Sequence, residues 1–365
     1  MTNVSLSWSD PAAARRYRTG VSLHSHTSRS KETLAFVPRH TQDVPVLSAG
    51  IRRLESVFHR HHGHDIDYTN VWWTPPLDPV AAYRLEADQI ENGLGLQPVV
   101  SLSDHDDVEA GLEAIDAGLP APVSVEWTIP MPPVFFHIGL HNIDAALMPL
   151  LREVTADPRP ERVREALAAV TANPASLVVV NHPLWDEIRA GQAVHEAKLA
   201  ELLAIARPFF HALELNGLRP WPENRRVIEL GSELSLPCVS GGDRHGTEPN
   251  ANVNLTNAAG FAEFAAELRD GAPSEVMFMP QYREPFRLRM IRVMCDVLRD
   301  TPESRWCDRI FWRNPDGVAR RLSDVMENPA PGVIGQFLAL IRLADRRNVQ
   351  FTLRWALADR QEVVL

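Results

Sequence analysis

The chain has 365 residues, of which 45% are hydrophobic and 23% charged, so it can bury a sizeable core as one large domain or two smaller ones. A formal net charge of −10 argues against binding nucleic acid or anionic membranes by bulk electrostatics, although a local basic pocket is compatible with it. Cys238, Cys295 and Cys307 form no CxxC motif, which indicates a reducing compartment. Because residues 1–17 are polar and no apolar run approaches the ~18 residues that span a bilayer, we expect a soluble cytoplasmic protein.

In chain order, short apolar runs alternate with amphipathic segments. The runs predict strands at residues 20–24, 98–102, 122–127, 134–140, 176–183, 210–216 and 236–246. The amphipathic segments predict helices at residues 80–94, 108–117, 145–155, 160–172, 193–206, 222–234 and 261–269. This alternation predicts an α/β fold with a parallel sheet, and about seven such units can close into a TIM-like barrel with its site at the carboxyl ends of the strands. The alternative, an open doubly wound sheet, would gather ligands from two or three adjacent strands only.

Two segments fall outside this alternation. Residues 38–79 follow the first strand without convincing periodicity, apart from a short helix at 47–58, and are interpreted as an insertion. Residues 281–365 are predicted to form a C-terminal helical extension of unknown role, attached to a barrel of residues 1–280. Helices are predicted in this extension at 286–298 and 333–346. Their apolar faces are expected to pack against the barrel or against another copy of the chain, which leaves a homo-oligomer open.

Residue types that bind metal ions follow most of the predicted strands. On an extended strand His24 and His26 would project from the same face about 6.5 Å apart, close enough to bind one ion between them. Taken alone, such a pair is more often two half-exposed polar positions. Further candidate ligands near strand ends are Glu32, His105, Glu126, His137, His182, Asp243 and His245. Imidazole and carboxylate ligands together suit Zn²⁺, Mn²⁺ or Fe²⁺, whereas an all-oxygen set would indicate Mg²⁺ or Ca²⁺.

The order of these motifs resembles that of the PHP (polymerase and histidinol phosphatase) family over residues 20–250. The matching motifs are His24-x-His26, Ser103–Asp106, Glu126 followed by His137, Asn181–Pro183, and Gly242–His245. The resemblance implies a distorted seven-stranded (β/α) barrel, a centre of two or three divalent ions, and hydrolysis of phosphoesters. It also implies one ion at His24, His26, Glu126 and Asp243, a second at Glu126, His137 and His182, and a third at Glu32, His105 and His245.

Two positions depart from the family's pattern. The family often has Asp or His soon after the HxH motif, where this chain has Ser30, Lys31 and Glu32; Glu32 can supply the missing oxygen. The family usually has an acidic residue two positions before the first histidine, where this chain has Ser22. Because that position is expected to support a ligand without binding the ion itself, its change should tune the site without abolishing it.

Charged residues inside the motifs are candidates for catalysis and substrate binding. The guanidinium groups of Arg29 and Arg244 could each pair with two phosphate oxygens, and Lys31 is a third candidate cation. For each of them the alternative is an ordinary salt bridge to a neighbouring carboxylate. Asp104 is a candidate catalytic group that, together with Asp106, is expected to orient imidazoles.

Aromatic and amide side chains add further candidates. Trp73, next to Trp72, is a candidate to stack on a base or sugar, and an interface is the alternative. Asn216, like Glu214, ends a strand and is a candidate to bind substrate, with hydrogen bonding at the barrel rim as the alternative. His141 is expected to be a structural histidine.

These features predict a metal-dependent phosphoesterase that hydrolyses a small phosphate ester, either a phosphomonoester or a nucleotide-like compound, through a hydroxide bridging two ions. Two or three ions of Zn²⁺, Mn²⁺ or Fe²⁺ are the expected cofactors. No long basic groove is evident, so extended nucleic acid is not an expected partner, and neither is a membrane. One alternative is a metal-dependent amide or lactone hydrolase, although barrels of that kind commonly add a carbamylated lysine that no strand end offers here. The other is a non-catalytic metal-binding scaffold.

Overall fold

The computed structural model describes residues 2–35, 45–302, 304–314 and 316–325, together with Leu343 and Val349. It is a mixed α/β fold in which strands and helices alternate along most of the chain. The predicted helix at 333–346 lies almost wholly outside the described residues.

The strands are β1 (Thr2–Leu6), β2 (Thr19–Ser22), β3 (Glu32–Thr33), β4 (Val71–Trp73), β5 (Gln97–Val100), β6 (Ser124–Met131), β7 (Val134–His141), β8 (Leu177–Val180), β9 (Ala212–Asn216), β10 (Cys238–Gly241), β11 (Asn252–Thr256), β12 (Ser274–Phe278), β13 (Ile310–Arg313) and β14 (Ala319–Arg321). The α-helices are α1 (Pro45–His62), α2 (Pro79–Asp88), α3 (Glu109–Asp116), α4 (Met148–Ala156), α5 (Pro160–Thr171), α6 (Gln192–Ala206), α7 (Trp221–Leu234), α8 (Phe261–Arg269), α9 (Phe286–Val297) and α10 (Leu322–Val325). A π-helical segment, Gln89–Leu94, continues α2.

Regular pairing divides the described strands into three sheets, with the orders β1-β12-β11-β2-β5, β10-β9-β8-β7-β6 and β14-β13-β4-β3. The pairs β2–β5, β8–β9 and β9–β10 are parallel, as expected. The expectation of a wholly parallel sheet is wrong, because β7 runs antiparallel to both β6 and β8. The reason is the short connection between Met131 and Val134, which permits a hairpin but leaves no room for a crossover helix. His137 therefore lies in the middle of a strand and not at a carboxyl end.

The two five-stranded sheets meet at two junctions where regular pairing stops. Beyond β5, the amide of Glu126 donates a hydrogen bond to the carbonyl oxygen of Asp104 at 3.0 Å. Beyond β2, the amide of Asp243 donates to the carbonyl oxygen of His24 at 2.8 Å. Each junction thus carries residues predicted to bind metal. Each junction contains only an isolated bridge. Among the described residues, the two five-stranded sheets therefore do not pair as one continuous sheet.

The core between strands and helices is apolar. Residues Leu177–Val180, which form β8, are all buried, and β-branched side chains of this kind fill a buried strand well. Val163, Leu167 and Val170 are buried along one stripe of α5 and belong to the same apolar cluster as Trp127 of β6. In the part of the chain that the structure describes, no helix combines the length and apolarity needed to cross a membrane.

Strands β1, β11 and β12 extend the first sheet beyond the predicted elements. β1 is parallel to β12, and β11 is antiparallel to both β12 and β2. The apolar pattern does not reveal β11, because its buried residues include Asn252 and Asn254. Their amide nitrogens donate to the carbonyl oxygens of Leu215 at 2.6 Å and Val21 at 3.1 Å, which offsets part of the cost of burying them.

The four-stranded sheet, here called the accessory sheet, joins the insertion to the C-terminal segment. Strand β4 of the insertion pairs with β3 and with β13, and β13 pairs with β14. Glu32 stands opposite Trp73 in this sheet. Helix α1 is longer than the predicted 47–58, and the ring of Phe58 lies 6.2 Å from that of Trp312. The two segments outside the predicted alternation therefore contact each other next to a candidate ligand.

A buried ion pair between Arg244 and Glu86 fixes the backbone behind the strand ends. The Nε atom of Arg244 donates to Glu86 at 2.8 Å, and its two terminal nitrogens donate to the carbonyl oxygens of Gly246 at 2.8 Å and His26 at 2.9 Å. Glu86 also accepts a hydrogen bond from Ser22 at 3.1 Å. The Arg244 guanidinium is thus directed at backbone and at Glu86, contrary to the prediction that it binds substrate.

We expect Glu86→Ala to lower the free energy of unfolding by about 3–5 kcal/mol, because it leaves the buried Arg244 cation without its partner. The matched control is Glu113→Ala, which breaks the exposed pair with Arg29 and should cost less than about 1 kcal/mol. Urea denaturation in the presence of a chelator measures both values without a contribution from bound metal. Equal effects of the two substitutions would contradict this account of the buried pair.

Candidate metal centre

The carboxylate of Glu126, on β6, is surrounded by five imidazoles. Ligands of one ion must lie close together. Here Glu126 and the imidazoles around it come from five different parts of the chain. The shortest nitrogen-to-oxygen separations from Glu126 are 3.1 Å to His24, 3.3 Å to His26, 3.1 Å to His105, 3.4 Å to His137 and 3.1 Å to His182. Glu126 is fully buried, so it is the point at which these segments meet.

Glu32 and Asp243 complete the cluster on one side. The Oε2 atom of Glu32 lies 3.2 Å from Nε2 of His105 and 3.1 Å from Nε2 of His245. The Oδ1 atom of Asp243 lies 3.5 Å from Nε2 of His26 and 3.4 Å from Nδ1 of His245. All nine side chains predicted as ligands are thereby brought into one connected cluster.

Three groups of ligand atoms are compact enough to hold an ion. They are His26, Glu32, His105 and His245; His24, His26 and Glu126; and His105, Glu126 and His137. The third group differs from the set implied by the family resemblance, because His105 takes the place of His182. His182 nevertheless lies close by, with its Nε2 atom 3.5 Å from Nδ1 of His137.

The donor set fits divalent ions on two counts. Ligand atoms about 2.1 Å from a tetrahedral ion lie roughly 3.4 Å apart, and the separations in this cluster are close to that value. The Oε2 atom of Glu126 is buried and has no hydrogen-bond partner within the described part of the chain. A buried carboxylate oxygen without a donor is costly unless a cation satisfies it. The cluster therefore suits cations better than an internal hydrogen-bond network.

Backbone turns, not extended strands, direct these side chains. Strand β2 ends at Ser22, and His24 has a left-handed φ of 59°. Asp243 and His182 also have positive φ values, of 53° and 28°. Conformations of this kind cost of order 1–3 kcal/mol each in non-glycine residues and concentrate at functional sites. The prediction that His24 and His26 are close is confirmed, since their Nε2 atoms are 3.1 Å apart, but the extended-strand geometry assumed for them is wrong.

Glu214 orients His24 from behind. Its carboxylate lies 2.5 Å from Nδ1 of His24 and accepts a hydrogen bond from the amide of His182 at 2.6 Å. Nδ1 is thereby engaged, which leaves Nε2 directed at the cluster. Gly241 on the neighbouring strand makes this possible, because a Cβ atom there would overlap the Glu214 carboxylate.

Asn216 supports ligands and does not face the substrate. Its amide nitrogen donates to Glu214 at 3.0 Å and to Asp243 at 3.2 Å, and its amide oxygen accepts from the backbone of Leu218 at 2.7 Å. Because these contacts occupy both ends of the amide, the prediction that Asn216 binds substrate is wrong. It holds two carboxylates in place instead.

Asp104 and the predicted cations lie outside the centre of the cluster. Asp104 accepts hydrogen bonds from the amide and hydroxyl of Thr27, both at 2.6 Å, and burial raises its pKa to about 6. It therefore supports the loop that carries the first two histidines, and its Oδ1 atom lies 4.0 Å from Nδ1 of His26. Its catalytic role stays a prediction. Arg29 is exposed and pairs with Glu113, and Lys31 is exposed; their role in substrate binding stays a prediction.

Trp73 forms a wall of the centre. Its side chain is 8% exposed, and its ring lies 5.8 Å from that of His245. The buried ring therefore packs against an imidazole of the cluster, contrary to the prediction that it stacks on substrate. Trp72, on the other face of the accessory sheet, is stacked on Phe311. His141 accords with the expected structural role, since its Nδ1 atom lies 2.8 Å from the Ser101 hydroxyl.

Sequence reasoning missed a cation in this site, Arg219. It is 7% exposed, it donates to Asp243 at 3.2 Å, and its guanidinium lies 3.9 Å from the centre of the Trp185 ring. Its Nε atom is buried without a hydrogen-bond partner among the described residues. The available signal was its place in the loop after β9, three residues past Asn216, where a strand-end argument would have included it.

A small pocket beside the cluster opens to solvent and encloses about 10 Å³, room for about one water molecule. It is lined by Phe135, Phe136, His137, Asn181, His182, Trp185 and Glu187. Two predicted ligands thus form one wall, and aromatic rings form much of the rest. Trp185 and Glu187 follow the Asn181–Pro183 motif and were also missed by sequence reasoning, which did not extend beyond Pro183.

The carboxyl groups of the cluster are ionised, which is the form that binds cations. Burial alone would raise the pKa of Glu126, but the imidazoles of His24 and His137 hold the pKa well below its usual range. Nearby histidines have the same effect on the pKa values of Glu32 and Asp243. These groups are therefore ionised at neutral pH, as metal binding requires.

No family model and no curated protein sequence matches the chain. Among solved structures, it is similar to a protein from Bifidobacterium adolescentis provisionally described as a metal-dependent phosphoesterase, with 16% identity, 48% of this chain and 85% of that chain covered, and a TM-score of 0.31. It is also similar to an amidohydrolase from Chromobacterium violaceum with bound sulfate and no metal, with 14% identity, 47% and 83% covered, and a TM-score of 0.34. Because both TM-scores are low, the function proposed below rests on the geometry of the site.

We expect Glu214→Gln to weaken metal binding about 10- to 100-fold, because the amide no longer fixes the orientation of His24 as a carboxylate does. Calorimetric titration of the chelator-treated protein with Zn²⁺ or Mn²⁺ measures the change. The control is Glu196→Gln, which removes an exposed partner of Arg226 and should leave the affinity unaltered. Unchanged affinity in Glu214→Gln would show that His24 is oriented by other contacts.

Proposed function

We propose that this protein is a metal-dependent phosphoesterase of the PHP type, acting on a small phosphate ester with two or three ions of Zn²⁺, Mn²⁺ or Fe²⁺. The observation that carries the proposal is the buried carboxylate of Glu126 among five imidazoles, with the carboxylates of Glu32 and Asp243 at the side. A cluster with this many mixed nitrogen and oxygen ligands has capacity for more than one ion. Paired ions of this kind are typical of enzymes that cleave phosphoesters.

We further propose that the strands act as a distorted seven-stranded barrel around this centre. Pairing in the order β2, β5, β6, β7, β8, β9 and β10 would close on itself at the two junctions between the sheets. The backbone contacts of Glu126 with Asp104 and of Asp243 with His24 support this arrangement. The irregular closure accounts for the concentration of ligands there, since unpaired strand ends leave room for side chains to turn inward.

The chain's own residues account for binding and orientation of the substrate. Divalent ions bound in the cluster would neutralise phosphoryl oxygens and lower the pKa of water. Arg219 is the buried cation next to Asp243 and takes the role that the sequence suggested for Arg29 and Arg244, binding the transferred phosphoryl group. Asp243 and Trp185 hold its guanidinium from two sides, so it is preorganised for an anion.

A small substrate fits the site better than a polymer. The pocket beside the cluster opens to solvent and encloses about 10 Å³, room for about one water molecule, so only a small group of the substrate can enter it. Its walls include Phe135, Phe136 and Trp185, so a substrate that lies over it is expected to contact aromatic rings.

The proposal is tested by turnover of 4-nitrophenyl phosphate and a panel of phosphomonoesters by protein loaded with Zn²⁺, Mn²⁺ or Fe²⁺. We expect turnover with two or three ions per chain, loss of turnover with a chelator, and loss in His24→Ala and Asp243→Asn, each with lower metal content by mass spectrometry. Bound metal without hydrolysis of any phosphoester would favour a scaffold role. Hydrolysis confined to lactones or amides would replace the proposal with the other hydrolase class.

We expect Arg219→Met to reduce kcat/KM for phosphate esters about 10²- to 10³-fold, because a preorganised donor to the reacting group is lost. Inhibition by inorganic phosphate should weaken as well, and Arg219→Lys should restore part of both. Arg226→Met on α7 removes an exposed arginine and serves as the control. A normal phosphate affinity in Arg219→Met, with reduced metal content, would instead assign Arg219 to the support of Asp243.

A further inference from the structure

One of the three compact groups of ligand atoms is supported by the C-terminal segment. It consists of His26, Glu32, His105 and His245 and is here called the Glu32 group. His245 lies in the loop between β10 and β11, and its Nδ1 atom lies 2.8 Å from the carbonyl oxygen of Asp243 in the same loop. That contact fixes the ring relative to its own loop only. Other elements must therefore hold the loop for Nε2 of His245 to stay 3.1 Å from Glu32.

Asp296 of α9 holds this loop directly after His245. Its buried Oδ2 atom accepts hydrogen bonds from the amide of Thr247 at 2.7 Å and from the Thr247 hydroxyl at 2.8 Å. Hydrogen bonds to a carboxylate are stronger than those between neutral groups. Gly246 permits the close approach, because a Cβ atom there would lie 2.6 Å from Oδ2 of Asp296. The carbonyl oxygen of Gly246 accepts from Arg244 at 2.8 Å, so the peptide that follows Gly246 is fixed at both of its polar atoms.

The same C-terminal segment reaches Glu32 by a second route. Arg309, which directly precedes β13, is buried and donates hydrogen bonds to carbonyl oxygens at the end of α9. Its own carbonyl oxygen accepts from the amide of Thr74 at 2.9 Å. In the accessory sheet, Trp73 stands between Ile310 of β13 and Glu32 of β3. Helix α9 and strand β13 are thus joined to each other behind two ligands of the Glu32 group.

We propose that Asp296 is a positioning residue of the metal centre. It fixes the loop that carries His245 and thereby sets the affinity for the ion of the Glu32 group. Glu126 and His137 lie on strands of a five-stranded sheet, and Glu214 orients His24, so ions bound at Glu126 do not depend on Asp296. The inference rests on the metal binding that the proposed function includes, and not on the reaction catalysed. It makes the C-terminal segment a part of the metal centre.

The test titrates the chelator-treated full chain with Mn²⁺ or Zn²⁺ by calorimetry and counts the bound ions by mass spectrometry. Glu32→Gln identifies the binding step that belongs to the Glu32 group. We expect Asp296→Ala to weaken that step about 10-fold or more and to leave the other steps as in wild type. Adding Asp296→Ala to Glu32→Gln should have no further effect on the remaining steps. Asp296→Asn keeps an acceptor oxygen for Thr247 and should restore part of the affinity.

The matched control is Glu248→Gln, which breaks a more exposed contact between the same loop and the same helix, that of Glu248 with Arg292 at 3.2 Å. Exposed pairs contribute little, so every binding step should match wild type. If Asp296→Ala does not fold, Asp296→Asn carries the same comparison with a smaller expected loss at the Glu32 step.

Three results would overturn the role of Asp296. They are an unchanged Glu32 step in the Asp296 variants, an equal loss at every step, and a wild-type titration in which Glu32→Gln alters no step. An equal loss at every step would show that Asp296 supports the fold in general. The expected pattern of ion binding without turnover of any phosphoester would instead count against the proposed function and leave this inference standing.

Discussion

The buried carboxylate of Glu126 is the constraint on which the rest of this structure depends. An ionised carboxylate in the protein interior is unstable unless positive charge or donors surround it, and one of its oxygens has no hydrogen-bond partner in the described part of the chain. Imidazoles from both five-stranded sheets therefore converge on it. The arrangement ties the closure of the fold to the assembly of the site, because the same residues that surround Glu126 also form the junctions between the sheets.

Most of the polar residues around the centre form hydrogen bonds that orient the metal-binding side chains or the backbone that carries them. Glu214 fixes His24, Asn216 holds Glu214 and Asp243, and the ion pair of Arg244 with Glu86 anchors the backbone of the first motif. A cluster of nitrogens and oxygens packed this closely would relax if its side chains could rotate, so each needs a partner behind it. This explains why charged residues within the motifs, which sequence reasoning assigns to phosphate, are already occupied.

The accessory sheet gives one ligand a different kind of support. Glu32 is carried by the short strand β3, whose neighbour β4 belongs to the insertion and is itself paired with β13 of the C-terminal segment. Trp73 of β4 then packs against His245. The group formed by Glu32, His105 and His245 thus depends on segments distant in sequence, whereas the group around Glu126 depends on the two larger sheets. The two parts of the centre can therefore respond differently to substitutions in the insertion.

The sequence by itself determined the alternating elements and the ligand types, since apolar periodicity and histidine spacing are local properties. It could not determine that β7 runs antiparallel, that the Asn-bearing β11 is buried, or that His24, His182 and Asp243 are directed by left-handed turns, because these depend on contacts between distant segments. For the same reason, only the tertiary structure decided which arginine faces the centre. Arg244 is closest to the motifs along the chain, but its partner Glu86 turns it away, and Arg219 enters from a neighbouring loop.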